Sequence, residues 1–168
     1  RGISFVEYHG SMEQFRKFVT RAQQEYRAAD HLLYVSYPVV QESKMLAVIT
    51  EKIYLALLAA MEALLYYEER YKRITRIPAV NRDKIELFKT VAVRRYHFSP
   101  ESAEILAELN AVVEKRQRSA MEFSRRGEFF IASRDYQFQV LSAEKVKKYM
   151  ERAKQFMARF NEVAHGLS

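Results

Sequence analysis

The sequence predicts an all-α protein, a five-helix up-and-down bundle with one small β-hairpin inserted before the last helix. Three observations lead there. The 168 residues hold only four Gly and three Pro, and such a scarcity of breakers beside so much Ala, Leu, Glu, Lys and Arg argues for helices. Apolar residues recur at three- and four-residue steps in several separate windows. The segment 51–71 is apolar around most of its circumference, and a helix of that kind has to be surrounded by others.

The elements follow in order. Residues 1–11 read as a leader or tag remnant, because Gly10-Ser11 stands directly before Met12, and the single domain is expected over 12–168. The first helix should run over 12–33, capped by Ser11 with Gln14 in capping-box position. Its buried face would be Phe15, Phe18, Val19, Ala22, Tyr26, Ala29 and Leu33, with His31 beside the favourable dipole end. Tyr37-Pro38 should break it, since the residue before Pro avoids helical geometry. A second, central helix is expected over 43–73. Its unbroken apolar part spans only 53–61 before Glu62, far short of the ~18–20 residues that a bilayer needs, so no membrane is implied.

Ile77-Pro78 opens a connection to a third helix over 82–96, burying Ile85, Phe88 and Val91 or Ala92. Ser99-Pro100-Glu101 has the form of a helix start: a cap, Pro in the first turn, then a carboxylate at the positive dipole end. That fourth helix should bury Ile105, Leu106, Leu109, Val112 and Val113 as far as Arg118. Aromatic and β-branched residues at 128–133 and 136–141 predict the hairpin, with the basic Arg125-Arg126-Gly127 at its tip or flank. Ser142, followed by Glu144, starts a last helix burying Val146, Met150, Ala153, Phe156 or Met157, Phe160 and Val163.

The net charge is +7, and it is concentrated. Nine basic residues face two acidic ones over 70–95, which alone supplies +7. Six face two over 115–134, whereas Glu101, Glu104, Glu108 and Glu114 form a stretch without a base. Concentrated basic charge is the footprint of a binder of RNA or another polyanion; a solvated basic face is the competing account, as is pairing of the basic and acidic helices with each other. The absence of cysteine excludes disulfides and thiolate metal sites, and fits a reducing cytoplasm.

Few motifs carry chemistry. Glycine loops for nucleotides are ruled out by the shortage of Gly. A di-iron bundle needs paired Glu-x-x-His motifs, and the chain has one, Glu162 to His165, so neither metal nor other cofactor is expected. In Arg94-Arg95-Tyr96-His97-Phe98, two arginines and a histidine join two aromatics, a set able to grip phosphate and stack a base; the aromatics could equally be core anchors. Arg116, Arg118, Arg125 and Arg126 are the other candidate phosphate contacts. Arg159 and His165 are six residues apart, about 240° around a helix, and would converge only if the helix frayed near Gly166.

The layout resembles the HEPN superfamily of small helical domains, found beside minimal nucleotidyltransferases and among RNA-targeting toxins. The resemblance rests on Ala-Gln-Gln-Glu-Tyr-Arg-Ala-Ala-Asp-His-Leu-Leu at 22–33 and on the Ala- and Leu-rich run at 55–65. Leu-Ala-Glu-Leu-Asn at 106–110 and Val-Lys-Lys-Tyr-Met-Glu-Arg-Ala-Lys at 146–154 complete it. It implies a homodimer, RNA or a nucleotidyltransferase as partner, and in active members metal-independent RNA cleavage by an Arg-x4–6-His motif. Arg159 and His165 match that spacing, although Phe160 follows the Arg where the family usually has a polar residue. Near Arg118, where the family's motif usually falls, Phe123 stands in the histidine position. The resemblance therefore leaves a ribonuclease, a non-catalytic RNA-binding domain and a protein-interaction bundle as the three expectations.

Overall fold

A computed structural model describes the backbone of residues 5–168 and the side chains of residues 12–168. It is mainly helical: α1 (Phe5–His31), the one-turn α2 (Tyr37–Val40), α3 (Lys44–Arg70), α4 (Asn81–Arg95), α5 (Pro100–Gln117) and α6 (Ala143–Leu167). A three-stranded antiparallel sheet of β1 (Met121–Arg125), β2 (Glu128–Ala132) and β3 (Phe138–Leu141) lies between α5 and α6. Among the described residues, no helix is long and apolar enough to cross a membrane.

The first helix differs from expectation at both ends. It is already under way at Phe5, so Ser11 lies inside it and does not cap it. It also fails to break at Tyr37-Pro38. A π-helical turn over Leu32–Ser36 widens the backbone there, with the Tyr37 N–H donating to the Leu32 carbonyl. Pro38 then occupies the first turn of α2, where its missing N–H costs nothing. The helical arm ends only at Gln41, which adopts a left-handed φ of 53°. His31 is consequently the last residue of α1 but lies inside a helical arm that runs on through the turn over Leu32–Ser36.

Helix α3 is the centre of the molecule. Fifteen of its residues are buried, because α1, α4, α5 and α6 all pack against it. The α1–α3 pair is antiparallel, marked by Phe15 against Tyr67, Phe18 stacked on Tyr66 and Glu25 bridged to Lys52. Helices α4 and α5 are also antiparallel, joined by Arg82–Glu114 and Lys89–Glu104 ion pairs. Phe88, Phe98 and Phe156 form an aromatic knot joining α4, the connection after it and α6. Each fully buried Phe or Leu of this core contributes about 1.5–3 kcal/mol. A buried polar relay crosses it: Asn81 donates to the Tyr54 hydroxyl, which donates to Asn110 at 2.8 Å.

The expected hairpin is the second half of a sheet with one more strand. β1 pairs with β2 and β2 with β3, in the registers Phe123↔Phe130 and Phe130↔Val140. Arg126 and Gly127, both at positive φ (51° and 75°), connect β1 to β2 as a two-residue hairpin turn of the kind that matches strand twist. The sheet is amphipathic by alternation. Phe129, Ile131 and Leu141 point inward and are buried against the bundle, whereas Phe123, Phe130, Phe138 and Met121 occupy the other face.

Candidate nucleic-acid interface

The segment from Arg94 to Phe98 is a structural joint. Tyr96 and Phe98 are buried core anchors, and the Phe98 and Tyr96 amides both donate to the Ala92 carbonyl at the end of α4. His97 turns the chain between them at a left-handed φ of 57°, with its imidazole exposed. Beneath it lies Glu68, which is fully buried. The Tyr96 hydroxyl donates a short hydrogen bond to one of its oxygens, and Arg73 bonds the same oxygen at 3.3 Å. Arg95 Nε stands 3.1 Å from the other oxygen, off the hydrogen-bonding direction, as an ion pair. Burial, reinforced by the hydrogen bond to Glu68, pushes the Tyr96 hydroxyl far above the ordinary tyrosine range. Of the three site candidates here, Arg95 is committed to the core and His97 to the turn. Arg94 is exposed and has no ion pair among the described residues.

Arg159 and His165 are not brought together. Helix α6 continues through Gly166 to Leu167, so the six-residue step keeps the two side chains apart. Arg159 donates from Nε to the Tyr96 carbonyl at 2.7 Å and pairs with Glu162, closing the end of α4. His165 lies instead in a groove between α6 and α1, lined by Phe15, Arg16, Thr20, Gln23 and Asn161.

Arg116 and Arg118 are also occupied. Arg116 bridges Glu122 at 2.9 Å and Glu51 at 3.5 Å while lying over the Phe129 ring. This clamp ties the end of α5 to β1 and α3, on the rim of a cleft of about 330 Å³ floored by Ala47, Val112 and Ile131. Arg118 pairs with Glu114, which also receives Arg82. The acidic stretch of α5 thus neutralises part of the basic run, through Arg82 and Lys89.

The cations around the sheet are different. Arg125 and Arg126 at the β1–β2 turn and Arg134 at the β2–β3 turn are exposed, and no ion pair is formed by any of them among the described residues. A groove of about 610 Å³ runs between α5, β3 and α6, lined by Lys115, Lys145, Lys148, Arg152, Gln139 and Tyr149. Arg152 is held there in a two-pronged bond to Glu108, and Lys148 pairs with Glu144. Lys115 and Lys145 have no carboxylate at ion-pairing distance among the described residues. The Ser133 hydroxyl holds the Asp135 carboxyl below its usual range, with Lys115 adding to the effect. Ser142 caps the start of α6 next to Lys145 by accepting from its amide.

The outer face of the sheet lies between the two turns that carry Arg125, Arg126 and Arg134. Phe123 and Phe130 stack in parallel at 4.9 Å, and Phe138 meets both edge-on at 6.3 Å. Phe138 is 51% exposed and Met121 57%. Sequence reasoning found neither this triad nor the lysines of the groove. The period-two pattern Phe123-x-Arg125, Glu128-x-Phe130 and Phe138-x-Val140 was the available signal for the triad. The lysines come from separate helices, so no spacing could reveal them.

Comparison with known proteins returns no match: no family model, no curated protein and no solved structure matches the chain.

Proposed function

We propose that this chain is an RNA-binding helical domain of HEPN-like organisation, which holds RNA without cutting it. One observation carries the reading: most cations of α4, with Arg73 before it, are spent on carboxylates, whereas five around the sheet form no ion pair among the described residues. Arg82 and Lys89 are matched by α5, and Lys84, Arg73 and Arg95 by α3. Lys115, Lys145, Arg125, Arg126 and Arg134 keep their charge available to a polyanion. A binding role is supported over cleavage by the separation of Arg159 from His165, since acid–base catalysis needs both within reach of one phosphate.

The test is a salt titration of RNA affinity with the full chain. Neutralising about four phosphates gives a slope of about −3 in log K against log salt, and a flat response contradicts the reading. RNA recovered intact after prolonged incubation with the protein fits the non-cutting role; cleavage abolished by His165→Ala would reverse that part.

A second reading, a protein-interaction bundle, is favoured by a specific patch. Tyr34, Val35, Val39 and Val40 on the arm after α1 are all about half or more exposed, and scattered single apolar residues do not form such a run. It predicts self-association or capture of another protein that is lost in Val35→Ser/Val39→Ser and indifferent to salt.

A further inference from the structure

We infer that the outer face of the sheet is a stacking platform for unpaired bases, so that the nucleic acid bound is single-stranded. This deepens the RNA-binding reading and rests on it. Three features of the face converge. First, its rings are grouped at the surface: Phe123 and Phe130, both half-buried, form a parallel pair, and Phe138, 51% exposed, lies against them at 6.3 Å. Second, both ends of the face carry guanidinium groups that form no ion pair among the described residues, Arg125 and Arg126 at one turn and Arg134 at the other. A strand crossing the rings would therefore meet positive charge as it enters and as it leaves.

Third, Tyr136 sits at the tip of the β2–β3 turn at φ 62° and is 86% exposed. A left-handed backbone costs a bulky residue about 1–2 kcal/mol, and glycine would remove that cost. Tyr136 recovers none of it by burial. An aromatic ring held in solvent at that expense, two residues before Phe138 in the chain, is the candidate for one more ring of the platform. Base–aromatic stacking accepts any base, because each has a π-face, and it requires that base to be unpaired. A double helix hides its base faces, so it can reach the cations but not the rings.

The experiment compares a fluorescently labelled ten-nucleotide single-stranded RNA, the same RNA as a duplex, and heparin, by anisotropy with the full chain. Phe130→Leu and Phe138→Leu keep the apolar area of the sheet and remove the ring, and circular dichroism melting checks that each still folds. The expected result is a loss of about five- to thirty-fold in single-strand affinity for each variant, with duplex and heparin affinities unchanged and the salt slope intact. Tyr136→Gly should lose single-strand affinity while melting no lower than the parent. Salt-dependent RNA binding that ignores all three substitutions would overturn the platform and leave the RNA-binding reading standing. Absence of any salt-dependent binding would overturn both. Light scattering supplies the remaining outcome: a parent dimer made monomeric by Phe138→Leu, with RNA affinity unchanged, would make the face an interface between two copies and overturn the platform.

Discussion

Glu68 shows how a single buried carboxylate can fix the geometry of a distant segment. It receives Tyr96, Arg73 and Arg95, so it joins the end of α3 to the end of α4 and consumes two arginines of the basic run. Removing one member of a buried charged cluster leaves its partners uncompensated. Glu68→Gln should therefore cost about 3 kcal/mol in urea unfolding, near the low end of the usual range because both arginines can partly rehydrate. The same cluster sets an alkaline limit. The Tyr96 hydroxyl is raised well above its ordinary 10.0 by burial and then by Glu68. Above that ordinary value the unfolded chain releases its proton while the folded chain keeps it, so the native state binds more protons and stability falls as pH rises. Tyr96→Phe should flatten the drop in melting temperature between about pH 9 and about pH 11. An unchanged drop would show that the other tyrosines dominate. At the β2–β3 turn, Tyr136→Gly should raise stability by about 0.5–1 kcal/mol, measured by the same urea titration.

Elements were legible in the sequence where local chemistry specified them. Ser99-Pro100-Glu101 announced α5, and the Ser99 side chain does accept the Ser102 amide; Ser99→Ala should cost about 1 kcal/mol. Ser142 announced α6 in the same way, and the buried faces of α4, α5 and α6 fell on the expected residues except Val113, which is half-buried. Helix α3 was read from its apolar girth, and Leu64→Ala there should cost about 2–5 kcal/mol, seen as a shift in the urea midpoint. What was missed has physical causes. The break expected at Pro38 is bridged by a π turn, a choice that tertiary packing makes and that no propensity encodes. β1 was missed because Met-Glu-Phe-Ser-Arg buries almost nothing. Its strand character comes from pairing with β2 through the Arg126-Gly127 turn.

At the scale of the whole molecule, charge and hydrophobicity are separated by function. The core is built around α3, and the α4 cations are largely bound to acids of α3 and α5. The sheet, packed on the bundle by one face, leaves aromatic rings on the other side, and the cations of its two turns, with Lys115 and Lys145 of the groove beside it, have no ion pair among the described residues. Charge counts along the sequence pointed to residues 70–95 as the polyanion site, because a count cannot tell a paired cation from an unpaired one. Arg125 and Arg126 were the sequence candidates that kept their charge available beside the sheet; Arg94 kept it at the far joint; Arg95, Arg116, Arg118 and Arg159 did not. The central claim is that RNA is held by the unpaired cations around the sheet. The most direct test measures the salt slope of RNA affinity for Lys115→Gln/Lys145→Gln against Arg82→Gln/Lys89→Gln, two variants with the same change in net charge. The slope should shrink by about 1.4 in the first and stay unchanged in the second. Equal losses in both, or a loss confined to the second, would contradict the account.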